Sequence, residues 1–270
     1  MPELPEVETT CRGVRPHLVG RIVAGLTVRE ARLRWPVPAA LKCLEGHRIE
    51  AVERRAKYLL IRSQLGTAIV HLGMSGNLRV SEPTLELRKH DHVLLDLDSG
   101  LQLRYHDPRR FGAWLWTETD PYEHSLLKSL GPEPFGEDFN VDCLQQACKG
   151  RQRSIKETIM DAKVVVGVGN IYACEALFMA GIHPGRAAGK VSRPRLKRLV
   201  DAIREVLASS IEQGGTTLRD FLREDGSPGY FRQQLRVYGR SGEVCRRCES
   251  PVKQITLGQR STFYCERCQR

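Results

Sequence analysis

Four cysteines near the end of the chain, Cys245-x2-Cys248-x16-Cys265-x2-Cys268, constrain its folding more than any other feature. Two CxxC knuckles bring four thiolates into tetrahedral reach of one ion, and Zn²⁺ favours that sulfur set. Because sulfur fills every position, no place is left for a metal-bound water, so the expected zinc is structural. Between the knuckles, "KQITLGQRSTFYC" reads as a hairpin turning at Leu257-Gly258-Gln259, with Arg260 near its tip. Such a hairpin either carries an arginine into nucleic acid or serves as a purely structural ribbon. The spacing leaves both open. The other five cysteines, Cys11, Cys43, Cys143, Cys148 and Cys174, follow no pairing pattern, which fits a reducing cytosol better than a disulfide framework.

Charge placement narrows the partner. Residues 1–150 hold 20 Lys+Arg against 20 Asp+Glu, whereas residues 151–270 hold 22 against 12, so the whole net charge of +10 lies in the second part. That asymmetry points to a polyanion, with nucleic acid ahead of a membrane surface. The longest apolar runs, such as Lys163-Val164-Val165-Val166-Gly167, fall far short of the ~20 residues of a membrane span. The N-terminus shows no secretory signal. A cytoplasmic protein that enters no membrane is the expectation.

Along the chain the hydrophobic period changes once. "KYLLIRS" (57–63), "TAIVHLG" (67–73), "HDHVLLDLDSG" (90–100) and "LQLRYHD" (101–107) are β-rich runs broken by glycine turns, which predicts an antiparallel sandwich or barrel. A helix from Pro5 to about Leu18 precedes them, and a Pro/Gly/acid linker, "LGPEPFGEDFN" (130–140), follows. Beyond it, Leu196, Leu199, Val200, Ile203, Val206, Leu207 and Ile211 mark an amphipathic helix over 193–212 that stops at Gly214-Gly215. "NIYACEALFMAG" (170–181), "VDCLQQACKG" and "SIKETIMD" supply further helices. The expected class is α+β multidomain, divided at 1–131, 132–236 and 237–270.

Several short motifs carry possible chemistry. "HLGMSG" sets Met74 between glycines at a strand end, and "HDPRRFG" sets Arg109, Arg110 and Phe111 in a loop. Loop arginines bind phosphate and an apolar neighbour can wedge into a base stack, although each motif alone is weak: such a methionine is more often core packing and such a phenylalanine more often a turn anchor. "VVVGVGNIY" runs a glycine turn into a helix whose N-terminus, with Asn170, offers phosphate donors or is a plain helix entry. Lys57 in "RRAKYLL" reads alone as a solvated lysine, and His90-Asp91-His92 on one strand would leave a second metal site open.

Taken together, "PELPEVE", "RRAKYLL", "HLGMSG", "KHDHV", "YHDPRRFG", "GVGNIYACEALF", "EQGGTTLRDFL", "GYF" and the terminal finger with "QRSTFYC" resemble the bacterial formamidopyrimidine-DNA glycosylases over essentially the whole chain. The resemblance implies an N-terminal β-sandwich with flanking helices, a helical domain with a helix-two-turns-helix element, and a zinc-finger β-hairpin. It implies damaged double-stranded DNA as partner, oxidised purines as substrate, one zinc ion and a monomer. Pro2, freed of Met1, would be the nucleophile that forms a Schiff base at C1′. Glu3 would be the general acid at the sugar ring oxygen, and Glu6 a carboxylate orienting amine and water. Lys57 would assist β-elimination and Arg260 δ-elimination. Met74, Arg109 and Phe111 would fill the gap left by a flipped nucleotide, with Arg109 facing the orphaned cytosine. His90, Arg109, Arg151 and Asn170 would contact DNA, and Cys245, Cys248, Cys265 and Cys268 would hold the zinc. The family often has lysine where Arg151 stands. Lys156 matches a lysine implicated in lesion handling, and residues 216–231 correspond to a lesion-capping loop. Two other readings are an endonuclease VIII-like glycosylase for oxidised pyrimidines, whose members typically begin Pro-Glu-Gly-Pro-Glu, and a non-catalytic zinc-ribbon DNA-binding protein.

Overall fold

The structure, a computed structural model, describes residues 2–215 and 234–270. The described chain falls into two compact units, residues 2–128 with 213–215, and residues 129–212 with 234–270.

The first unit opens with α1 (Leu4–Leu18), in which Val7, Cys11, Val14 and Leu18 recur at three or four residues and are all buried. This single stripe explains why the segment is helical and which face it hides. Eight strands follow: β1 (Val23–Val28), β2 (Ile49–Arg55), β3 (Tyr58–Ser63), β4 (Gly66–His71), β5 (Asn77–Ser81), β6 (Asp91–Leu97), β7 (Gln102–His106) and β8 (Ala113–Thr117). They form two antiparallel four-stranded sheets, ordered β1-β6-β7-β5 and β2-β3-β4-β8. Both sheets feed one core: Leu26, Leu78, Val93 and Tyr105 from the first, Val52, Leu59, Val70 and Trp114 from the second, closed by the α1 stripe. The expected sandwich is therefore present. Glu8 accepts from Arg12 at 2.7 Å and from Arg54 of β2 at 2.8 Å. Burial opposes its ionisation, but the two guanidiniums win and hold its carboxyl below the usual range. It thus ties α1 to a sheet.

The second unit holds α2 (Val141–Cys148), α3 (Ile155–Ile159), α4 (Asn170–Ala180), α5 (Arg193–Glu212), β9 (Lys253–Leu257) and β10 (Arg260–Tyr264). Asn140 caps α2 by accepting from the backbone N–H groups of Asp142 and Cys143, and Ser154 caps α3 by accepting from Glu157. Ile171 to Phe178 of α4 are buried without a break, so α4 is the central helix and its sequence shows no polar face. The expected linker has no regular structure, yet it is pinned: Arg204 of α5 donates to the carbonyls of Pro134, Gly136 and Phe139. Among the described residues no helix is long and apolar enough to cross a membrane.

Candidate active site and metal centre

At the head of the first unit, Pro2, Glu3 and Glu6 are all buried. Glu3 is the N-cap of α1, and Glu6, three residues on, accepts the Glu3 backbone N–H at 2.8 Å in a reciprocal capping box. Two carboxylates are thereby fixed beside the chain's first turn, where unpaired helix N–H groups favour negative charge. Pro5 lies within that turn, where a missing N–H costs nothing. Gly215, with φ +82°, approaches so closely that a Cβ there would lie 3.3 Å from Glu6 Oε1. The glycine pair after α5 is thus more than a helix stop.

Lys57 is half-buried in the two-residue turn between β2 and β3, beside Ala56, which takes a left-handed φ of 54°. Its charge is felt at His71, whose imidazole burial, Lys57 and Arg34 together push down to about 4. His71 is therefore neutral near pH 7. Its Nδ1 accepts from the Gly73 N–H at 3.0 Å, and its ring meets Tyr58 at 4.9 Å. Nothing in the local pattern of the sequence singles out His71.

Met74 and Phe111 are 38% and 51% exposed, and Arg109 is exposed too. Neither the core reading of Met74 nor the turn-anchor reading of Phe111 describes them. Their two turns meet backbone to backbone: a Cβ on Gly73 would lie 2.4 Å from Gly112 N, and one on Gly112 would lie 1.7 Å from the Tyr105 hydroxyl. Gly112→Ala is therefore expected to lower stability by about 1–3 kcal/mol through overpacking, read as a fall in the urea midpoint at unchanged m.

His90 precedes β6 rather than lying on it, so His90 and His92 do not share a strand face. His92 Nε2 bonds to the Asp107 carbonyl at 2.9 Å. The His90 ring lies 5.9 Å from His92 and 6.0 Å from His106, but among the described residues these histidines belong to no cluster of three or more possible metal ligands.

In the second unit the four thiols lie within 4.8 Å of one another, the only such cluster of possible metal ligands among the described residues. Cys245 and Cys268 sulfurs are 3.9 Å apart and those of Cys248 and Cys265 3.4 Å. A tetrahedron with Zn–S bonds of about 2.3 Å has edges of roughly 3.8 Å, so the set fits zinc with no room for a fifth ligand. Phe263 and Val252 of the finger pack with Cys174 and Phe178 of α4. At the hairpin tip Gly258 and Gln259 both take positive φ, 53° and 60°, the requirement of a type I′ turn. Arg260, the first residue of β10, is exposed there as the spacing predicts.

Asn170 is the first residue of α4, and its amide is already used: Oδ1 accepts from Lys156 Nζ at 2.5 Å, and Nδ2 donates to the Ser261 carbonyl at 2.9 Å. Lys156 is 1% exposed and also donates to Thr262 Oγ1 at 2.6 Å. It braces α3, α4 and the hairpin together. Arg151 is partly exposed, with Asp161 3.9 Å away. Glu175, which the sequence does not single out, is fully buried and accepts from the backbone N–H groups of Arg236, Val237 and Tyr238. The expected capping loop, 216–231, lies outside the described residues.

Family models agree with this organisation. They match the formamidopyrimidine-DNA glycosylase N-terminal domain over residues 1–114, its H2TH domain over 130–222, and a zinc finger found in FPG and IleRS over 242–270. Formamidopyrimidine-DNA glycosylases of Thioalkalivibrio sulfidiphilus and Stutzerimonas stutzeri are 61% and 60% identical, each over 100% of both chains. Among solved structures, the MutM (FPG) protein of Thermus thermophilus is similar with a TM-score of 0.89 at 39% identity, over 99% of this chain and 98% of that one. A Lactococcus lactis FPG mutant in complex with Fapy-dG containing DNA matches with a TM-score of 0.92 at 33% identity, over 100% of both chains. With identity of this level running from end to end, the chain belongs to the formamidopyrimidine-DNA glycosylase family.

Proposed function

We propose that this DNA glycosylase of oxidised-purine repair removes 8-oxoguanine and formamidopyrimidines through the α-amine of Pro2 and then cuts the strand by β,δ-elimination. The observation that carries the reading is the buried head, Pro2 beside the reciprocally bonded Glu3 and Glu6, in a chain alike over its full length to named formamidopyrimidine-DNA glycosylases. The Pro2 nitrogen bonds to C1′ as the C1′–base bond breaks, and the amine proton leaves with the base. Glu3 protonates the ring oxygen as the C1′–O bond opens, which leaves a cationic iminium. Lys57 then assists loss of the 3′ phosphate and Arg260 that of the 5′ phosphate. Glu6 orients the amine through its hold on Glu3. Met74, Arg109 and Phe111 occupy the emptied stack, while His90, Arg109, Arg151 and Asn170 hold the DNA. The zinc shapes the hairpin and takes no part in these steps.

The protein acts as a monomer in the bacterial cytoplasm, enters no membrane, and associates with the nucleoid when bound to DNA. Its three parts are divided at 1–131, 132–236 and 237–270. Side-by-side excision assays test the substrate: release of 8-oxoguanine opposite cytosine with little release of thymine glycol is expected, and the reverse preference would sink the purine assignment. Affinity for lesion duplex should fall linearly on a log–log plot against salt. Arg151→Ala is expected to reduce that slope by about 1, the mark of one phosphate contact.

A further inference from the structure

Asp107 is fully buried in the first unit, and three neutral donors from separate parts of the chain meet its carboxylate. Ser75 Oγ donates to Oδ1 at 2.9 Å, while the Tyr105 hydroxyl and the Gly112 backbone N–H donate to Oδ2 at 3.0 and 2.9 Å. A buried carboxylate is costly to remove from water unless its oxygens accept hydrogen bonds, and these three donors supply them. Its own carbonyl accepts from His92 Nε2 and from the Arg110 N–H, at 2.9 and 3.2 Å.

Ser75 lies beside Met74, and Gly112 beside Phe111. The first turn is closed by the Gly76 N–H to the Leu72 carbonyl at 2.8 Å, and a Cβ on Gly76 would lie 2.3 Å from that same oxygen. Neither turn has room to slide past the other. Three exposed side chains thus stand on two turns joined through one carboxylate, by the Ser75 hydroxyl on one side and the Gly112 backbone N–H on the other. A wedge can hold bases apart only if its base does not yield.

We propose that Asp107 is a positioning residue that ties the Met74 turn to the Arg109–Phe111 loop, so that all three side chains enter duplex DNA as one rigid unit. This rests on the reading of those three as the residues that fill the gap. Asp107 touches neither substrate nor reacting atoms.

The test compares three substrates: 8-oxoguanine opposite cytosine, the same lesion opposite an abasic analogue, and a preformed abasic site. In the second the opposite base is already missing, and in the third no base remains to be extracted. For Asp107→Asn the single-turnover rate on the paired lesion is expected to fall about 10-fold or more, as for other small misplacements near a reacting centre. On the other two it should stay within about twofold of wild type. An equal loss on all three would mean general damage to the fold and overturn the proposal, as would no loss on the paired lesion. If Asp107→Asn does not fold, Ser75→Ala decides: it removes one donor, and a smaller loss with the same substrate pattern supports the proposal, whereas a uniform or absent loss overturns it. Wild-type protein inactive on the paired lesion, or a Met74→Ala/Phe111→Ala protein working at the wild-type rate, would instead remove the reading on which the proposal rests.

Discussion

Borohydride reduction during turnover on 8-oxoguanine duplex is expected to trap a covalent protein–DNA adduct at Pro2, and Pro2→Gly to lower its rate by about two orders of magnitude or more. A chain-terminal amine ordinarily titrates at about 7.7–8.0 against about 10.4 for lysine, so near neutrality a useful fraction of it is already an unprotonated nucleophile. Proline adds something a primary amine lacks. An iminium on a secondary amine has no N–H to lose and stays cationic, which keeps the electron sink for both eliminations. Glycine forms an imine that must be reprotonated. Glu3→Gln should retain part of the helix cap while removing the transferable proton, with a fall of about 10²–10⁴ in excision. An intact mass that includes Met1 would predict no adduct, because acylation removes the amine. An adduct formed by Pro2→Gly at the undiminished rate would rule out Pro2 as the nucleophile.

Removal of the zinc is expected to have the second largest effect. Structural zinc contributes about 10–16 kcal/mol of apparent binding free energy at neutral pH, which a hairpin of ten strand residues cannot replace. Cys265→Ser, at a fully buried ligand, should abolish the one-to-one zinc content measured by atomic absorption. The damage should not stay in the finger, because Lys156 and Asn170 make their bonds to Thr262 and Ser261 of β10. Affinity for lesion duplex is expected to fall by more than the loss of Arg260 alone, so Arg260→Ala is the comparison. Chelated protein that binds DNA as tightly as Arg260→Ala would show that the hairpin braces nothing.

Much of this architecture was legible in the residues. The Val7-Cys11-Val14-Leu18 stripe gives α1, the 3.6-residue period gives α5, and glycine turns separate the sheet strands, because each signal is local and repeats within a few residues. α3 is shorter than its sequence suggests, five residues, since the chain leaves the helix at Met160 to enter the segment before α4. The zinc ligands are the clearest instance: two knuckles whose geometry is local, joined by a strand–turn–strand long enough to bring them together.

What only the tertiary structure decided are the polar contacts made across the fold. Ser75 and Asp107 are 32 residues apart, Glu8 and Arg54 46, and Lys156 and Thr262 106. No period or motif marks such pairs, because a buried charged or hydroxyl group is placed by whichever donors the packed elements happen to bring within 3 Å. For the same reason the sequence left Asn170 open between a phosphate donor and a plain helix entry, and only packing shows that its amide bonds to Lys156 and Ser261. The sequence by itself determined the elements, the zinc ligands and the identities of the candidate site residues; tertiary packing decided which of those side chains stand exposed, which are already bonded, and that Asp107 joins two turns the sequence keeps apart.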